Sequence, residues 1–409
     1  MSASFQLQVD SPGWSDVPGF QLAGVACDIR ETGDPRLDLA LLFSEKPAVA
    51  AGVFTTNDIK AAPVRYDQQI LQTGDRFSAI VVNSGNANAC TGAQGMADTE
   101  AMAAQAAQLL EVDPAQVFVC STGRIGRALP MEKVAAGISD AADDLSADST
   151  QSLNAAWAIL TSDTRPKTVT STFEIDGQTV TIAGMGKGAG MIEPNMATML
   201  AFIATDAAVS KEALQSHLEA ANTNTFNAIT VDGDMSTNDT VLALANSLSG
   251  ISVDDFSSAA GQAFQAALQA VCQCLAEKIV ADGERVTKQV TINISGAPDD
   301  LSAEKVARAI GNSLLVKTSW YGNDPNWGRV LDAAGYARVG IIEDHLDMHY
   351  DEVPAILAGT PQHENLPQWR EVVARESFCL NLNLNLGSGH YQLLCADLSE
   401  GYVAFNKSE

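Results

Sequence analysis

The plainest pattern in the chain lies near its C-terminal end, where leucine and asparagine alternate from Cys379 to Leu386 in CLNLNLNL. A period of two places every second side chain on one face, so the run predicts a half-buried strand, turned by Gly387-Ser388-Gly389 into a second one. Helical spacing marks other stretches. Asp98 and Thr99 can cap a helix through Leu110, and helices are predicted over Met131 to Ala142, over Thr150 to Leu160 and from a Ser210 cap to Ala221. The longest such pattern runs from Ser257 to Ala281, and a further helix spans Ala303 to Ile310.

Between these lie short apolar runs. Ser78 to Val82, Val117 to Cys120 and Val290 to Ile294 read as strands, and residues 19 to 57 as strand and turn material. Thr168 to Ile175 and Thr179 to Ala183 predict a hairpin across Asp176-Gly177, a dipeptide suited to a tight turn. Phe226 to Asn246 predicts a strand, an acidic turn and an apolar helix.

The hairpin leads into GMGKGAGMIEPNMATML, Gly184 to Leu200, which the rest of the chain surrounds. Glycine tolerates positive φ, so a glycine-rich loop can turn sharply and approach other groups closely. Thr198 then stands at the mouth of an apolar run fit for a buried strand. That is how a nucleophile is presented, with space on one side and a rigid backbone on the other. A phosphate cradle is the rival reading of the glycines around Lys187. It fails on spacing, because the four residues between glycine and Gly-Lys-Ser/Thr are absent and no helix is predicted directly after.

At this stretch the chain resembles the ornithine acetyltransferase (glutamate N-acetyltransferase) family of arginine biosynthesis. Members of that family cut themselves before the threonine of an Ala-Thr pair, here between Ala197 and Thr198, giving an α chain 1–197 and a β chain 198–409. The chemistry suits that cut. A free threonine α-amine has a pKa near 7.7 to 8.0 and can serve its own hydroxyl as base, which an amide nitrogen cannot.

Further blocks carry the resemblance along nearly the whole chain. STGRIG, Ser121 to Gly126, implies an oxyanion role for Thr122 and Gly123; Arg124 departs from the family's usual aliphatic residue. TSDTRPK implies substrate contact by Thr164, and DGERVTK by Glu284, where Arg285 and Val286 replace a usual Gly-Ala. Lys187 and Asn406 complete the implied amino-acid site, and Ser408 is the nearest counterpart of a closing family hydroxyl. Charge suggests Lys187 for a carboxylate and Glu284 for an ammonium group. The implied fold is α/β, an αββα layered sandwich plus a smaller mixed domain, with 198–283 completing the sandwich and 284–409 forming the second domain. The implied reaction moves acetyl from N2-acetyl-L-ornithine to L-glutamate through acetyl-Thr198, with no cofactor, acetyl-CoA as a possible co-substrate, and an α2β2 heterotetramer. An N-terminal-threonine aminopeptidase or amidase and an uncleaved, silent amino-acid binder are the alternatives.

Two constellations invite metal readings. Asp232, Asp234, Asn238 and Asp239 offer hard oxygens, but the closing glutamate of an EF-hand is missing and such residues also form caps and turns. His345 and His349 stand four apart, yet HLDMHY fits a strand as well as a helix, and no glutamate follows as in HExxH. A structural role is expected for both, and no metal. NSGNANACTGAQG, Asn83 to Gly95, predicts a tight loop. NDPNWGR, Asn323 to Arg329, is dense in turn formers and is read as structural.

Composition narrows the partners. The chain has 409 residues with 24 basic and 50 acidic side chains, a formal net charge of -26. That opposes nonspecific binding to nucleic acid or an anionic membrane. No apolar run reaches the length of a membrane span, and seven scattered cysteines suit reduced thiols, so a cytoplasmic protein is expected.

Overall fold

The computed structural model describes residues 4–193 and 199–407. Ala197, Thr198 and Ser408 lie outside the described residues. The strands in chain order are β1 (Phe5–Val9), β2 (Phe20–Val25), β3 (Leu39–Phe54), β4 (Phe77–Asn86), β5 (Val117–Arg124), β6 (Lys167–Ile175), β7 (Gln178–Lys187), β8 (Leu200–Thr205), β9 (Ile229–Thr230) and β10 (Thr240–Ala245). They continue with β11 (Gln289–Ala297), β12 (Asp347–Tyr350), β13 (Val353–Leu357), β14 (Thr360–Pro361), β15 (Ser377–Asn383) and β16 (Gly389–Ala396). The chain folds as two compact units: residues up to 188 with 195–227 and 235–279, and residues 189–194, 228–234 and 280–409.

The first unit is a mixed sheet in the order β1-β6-β7-β8-β10-β3-β4-β5, with β2 added on β3. The long strand β3 joins two halves. Its residues 39–44 pair with β2, and its residues 49–54 pair with β10. The halves face each other across a core of Phe20, Leu42, Phe77 and Phe118 on one side and Met185, Phe202 and Leu244 on the other. Trp14 seals this layer, its indole N–H donating to the Phe202 carbonyl at 3.0 Å. Helices α1 (Ala62–Thr73), α2 (Gly92–Leu110), α3 (Met131–Asp143), α4 (Ser149–Ala158), α5 (Lys211–Thr223) and α6 (Ala259–Ala281) complete it. Met102, Ala106, Val134 and Ile138 of α2 and α3 cover the outer face of Leu41, Val81 and Val119. Val271 and Leu275 of α6 lie where a Cβ on Gly184 would come within 2.9 Å of each. The layers are therefore helix, sheet, sheet, helix, as the α/β expectation holds.

The structure departs from the sequence reading in three places. β7 runs on to Lys187, so Gly184 and Gly186 are strand residues rather than loop; glycine is what lets α6 pack so close to Gly184. Thr240–Ala245 is a strand and not a helix, because it is inserted between β8 and β3 and buried along its whole length, which leaves no polar face to reveal its period. Helix α2 starts at Gly92, so Asp98 and Thr99 lie inside it, with the Thr99 hydroxyl turned back to the Gly95 carbonyl at 2.8 Å.

The second unit is a seven-stranded sheet in the order β14-β13-β12-β15-β11-β16-β9. Its helices are α7 (Asp300–Gly311), α8 (Leu314–Tyr321), α9 (Trp327–Gly335), α10 (Leu366–Val373) and α11 (Glu400–Asn406). The leucine and asparagine alternation forms β15 as expected. Leu380 and Leu382 enter the core, while Asn381 on the other face accepts from Asn293 of β11 at 2.8 Å. His349 lies in β12, and among the described residues no cluster of three metal-ligating side chains occurs. No described helix is long and apolar enough to cross a membrane.

Candidate active site

In the first unit the candidate residues gather at the end of β5. This strand pairs in parallel with β4, setting Ser121 beside Asn83, Thr122 beside Ser84 and Gly123 beside Gly85. The register then slips, so Asn86 faces both Thr122 and Arg124. Such an irregularity turns the strand end out of the ladder. Gly123 has φ of 134°, and a Cβ there would come within 2.3 Å of the Gly85 carbonyl carbon. No other residue fits. Arg124 is exposed.

Asparagines anchor this strand end. The Ser121 hydroxyl lies 2.6 Å from Asn83 Oδ1. The Asn238 amide donates to the carbonyls of Ala87 at 2.6 Å and Ser121 at 2.8 Å, while its own Oδ1 accepts from Thr237 at 2.6 Å. Asn86 donates to the Arg127 and Ala128 carbonyls at 3.2 and 3.0 Å. The loop after β4 and the acidic block 232–239 thus act through backbone bonds, the role the caps-and-turns reading assigns to them.

Lys187 closes β7 and is buried, 3% exposed. Its ammonium donates to Thr122 Oγ1 at 3.2 Å and stands 4.0 Å from the Asp163 carboxylate. Asp163 also takes the Lys167 ammonium at 2.7 Å and the Gly188 N–H at 2.7 Å. Burial alone raises this carboxyl, but the two lysines and the Gly188 N–H outweigh it and hold the pKa at about 2. Two ammonium groups therefore meet at one buried carboxylate, and one of them reaches Thr122. Thr164, next to Asp163, is exposed in the bend between α4 and β6.

Asp163 and Lys167 escaped the sequence reading. Their signal was present in TSDTRPK, an acid and a base four apart beside Thr164, but the segment is a bend and a strand start, where spacing says nothing about burial. Asp239 was read only within its acidic block. It lies 1% exposed; Oδ1 accepts the Met199 N–H at 2.9 Å, and burial pushes its pKa well up.

The second unit holds the remaining residues. The Glu284 N–H donates to the Ala189 carbonyl at 2.9 Å, and its carboxylate stands so close to Gly190 that a Cβ there would lie 2.5 Å from Oε1. Asn406 at the end of α11 donates to Glu284 Oε2 at 3.1 Å. Arg285 has φ of 57°, a backbone that suits the glycine usual in the family; its guanidinium stacks 5.2 Å from the Phe405 ring centre, and its carbonyl accepts from Ser399 at 2.7 Å. Asp232 accepts the N–H groups of Met191 and Ile192 at 2.7 and 2.9 Å, which ties down the start of 189–193.

Fold and site together define a mixed α/β enzyme. The profile of the ArgJ family matches residues 21–408, and the chain belongs to that family. It is 42% identical over 392 residues to the arginine biosynthesis bifunctional protein ArgJ of Geobacter sulfurreducens, covering 96% of this chain and 98% of the relative. It is 45% identical over 390 residues to the protein of the same name from Symbiobacterium thermophilum, covering 95% and 96%. It is 41% identical over 381 residues to the glutamate N-acetyltransferase of Methanocaldococcus jannaschii, covering 91% and 93%. The chain is thus an acetyltransferase of arginine biosynthesis.

Proposed function

We propose that the chain moves the acetyl group of N2-acetyl-L-ornithine to L-glutamate through an acetyl ester on Thr198, after cutting its own backbone between Ala197 and Thr198. In the cut, the Thr198 hydroxyl oxygen attacks the Ala197 carbonyl carbon. The C–N bond breaks as nitrogen takes a proton, and water hydrolyses the resulting ester to a carboxylate and a free Thr198 amine. In transfer, that amine takes the hydroxyl proton as the oxygen attacks the acetyl carbonyl. The proton passes to the departing ornithine nitrogen. The glutamate amine then attacks the ester, gives up a proton and restores the threonine hydroxyl.

The observation that carries this reading is the Lys187 ammonium on the Thr122 oxygen. Because that oxygen accepts from a cation, the hydroxyl's own hydrogen is left to donate, and the cation strengthens it as a donor to an oxyanion. Gly123 supplies a backbone N–H beside it. By charge the Lys187 ammonium suits a substrate carboxylate and Glu284 an ammonium group, and the family resemblance implies Thr164 and Asn406 as further amino-acid contacts. No cofactor is needed, since the acyl group travels on the protein; acetyl-CoA is a second possible acetyl source. The assembly in this reading is α2β2, in the cytoplasm.

Intact mass under denaturing conditions tests the cut, with two chains of 1–197 and 198–409 expected. Incubation with N-acetylornithine and glutamate should yield N-acetylglutamate and ornithine. A single full-length chain overturns the self-activating reading, and free acetate without N-acetylglutamate identifies an amidase.

A further inference from the structure

The last helix of the second unit is too small to hold itself. α11 has seven residues, Glu400–Asn406, and none of them is buried. A helix of two turns is unstable alone in water, so α11 keeps its place through contacts with the rest of the unit. Those contacts converge on the dipeptide Glu284-Arg285. The Ser399 hydroxyl accepts the Tyr402 N–H as the N-cap of α11 and donates to the Arg285 carbonyl at 2.7 Å. Gly401 packs on the Arg285 stem, where a Cβ would come within 2.9 Å of the Arg285 Cβ. The Phe405 ring lies 5.2 Å from the Arg285 guanidinium, and Asn406 donates to Glu284 Oε2 at 3.1 Å. The Tyr402 hydroxyl adds a bond to Asp232 at 3.3 Å.

Arg285 does this from a backbone that opposes it. Its φ of 57° lies in the left-handed region, which disfavours any residue with a Cβ and suits glycine. A turn that served the fold alone would be more stable with glycine here. What arginine adds is its side chain, and that side chain lies on α11.

Asn406 shows what the docking serves. Its amide gives both hydrogens away, to Glu284 Oε2 and, at 3.0 Å, to the Tyr402 carbonyl. Its own oxygen is left to accept, next to a carboxylate. An ammonium group has three donors and fits such a pair of acceptors.

We propose that Arg285 is a positioning residue of the amino-acid site: by docking α11 it sets Asn406 beside Glu284, so that an ammonium-bearing ligand meets both acceptors. The inference rests on the reading of Glu284 as the partner of a substrate ammonium group. Docking and binding are then linked. A ligand held by both residues stabilises the docked helix, and docking tightens the ligand by the same factor.

Arg285→Gly tests this, because it removes the side chain and suits the backbone, so stability and binding should separate. Melting temperature should not fall. Amide exchange in residues 400–406 should quicken, and the dissociation constant for L-ornithine, read by calorimetry, should rise about two- to fivefold, the worth of an exposed cation–π contact. Arg285→Lys should recover part of both. Phe405→Leu should weaken binding similarly, and adding Arg285→Gly to it should change little more. The proposal needs both faster exchange at α11 and weaker binding in Arg285→Gly; either one alone overturns it. So does a fall in melting temperature with faster exchange across the whole second unit, which would make Arg285 a residue of the fold. A wild-type chain that does not bind ornithine, or a Glu284→Gln chain that binds it equally well, overturns the reading of Glu284 and this inference with it. Arg285→Gly matching wild type where Glu284→Gln does not overturns the positioning role alone.

Discussion

Lys187 Nζ lies 3.2 Å from Thr122 Oγ1 and 4.0 Å from Asp163, so one ammonium group links a candidate oxyanion donor to a buried carboxylate. Lys187→Met removes the link and keeps the stem's bulk. Asp163 stays paired with Lys167 at 2.7 Å, so the fold should survive. The Thr122 hydroxyl loses its polarising donor. We expect kcat for acetyl transfer to fall by about 100- to 1,000-fold, the scale of a lost oxyanion contribution, with a modest drop in melting temperature. Steady-state kinetics and thermal unfolding check this. A kcat within a few-fold of wild type would place Lys187 outside the reacting centre.

Asp163 makes stability depend on acid. Its folded pKa of about 2 lies below the ordinary carboxylate value near 3.9, so its contribution is complete above about pH 4 and is lost as pH falls through about 2. The size is on the order of 2 kcal/mol. Asp163→Asn should be clearly less stable than wild type at pH 6, since it leaves two buried lysines without their carboxylate, and the gap should narrow steadily toward pH 2.5. Denaturant titrations of both proteins across that range measure it. A gap that does not change with pH would mean that Asp163 is not held ionised by the lysines.

Gly123 is a position where backbone geometry and chemistry coincide. A methyl group would sit 2.3 Å from a Gly85 backbone atom, and φ of 134° is closed to other residues. Gly123→Ala must therefore move the end of β5, and with it Thr122. The expected result is a loss of stability of about 2 kcal/mol or more and loss of detectable transfer, read by thermal unfolding and by assay. Gly126→Ala is the contrast. It has positive φ but open space around it, so it should cost only about 1 kcal/mol and leave activity near wild type.

Much of this architecture was legible along the chain, for reasons tied to single features. The Asp176-Gly177 turn falls where expected because both residues have positive φ, which that dipeptide accepts. The leucines of β15 alternate inward because that strand has one buried face and one polar face, where Asn293 and Asn381 pair. Thr240–Ala245 failed the same test, since a central strand buried on both faces shows no period. In the site, Thr122, Gly123 and Lys187 were marked by motif. Asp163 was not, since its meaning is a triangle with two lysines that lie four and twenty-four positions on in the numbering, and only folding closes it. Asp239 was visible only as one acid among several. Its burial and its bond to Met199 depend on β8 and β10 being neighbours.

In the second unit, Glu284 offers a test of charge alone. Its carboxylate accepts from Asn406 at 3.1 Å and packs against Gly190, so shape and hydrogen bonding hold it in place. Glu284→Gln keeps an acceptor oxygen of the same size and removes the negative charge. If Glu284 pairs with a substrate ammonium group, the loss is one charge-assisted hydrogen bond, about 1.5–3 kcal/mol, which corresponds to a rise in KM of roughly 10- to 100-fold. Binding is lost equally from ground and transition states, so kcat should stay within a few-fold of wild type. Melting temperature should hardly move, because the Asn406 contact survives. A fall in kcat with unchanged KM would instead place the Glu284 charge on the reacting atoms, and no change in either would confine it to holding α11.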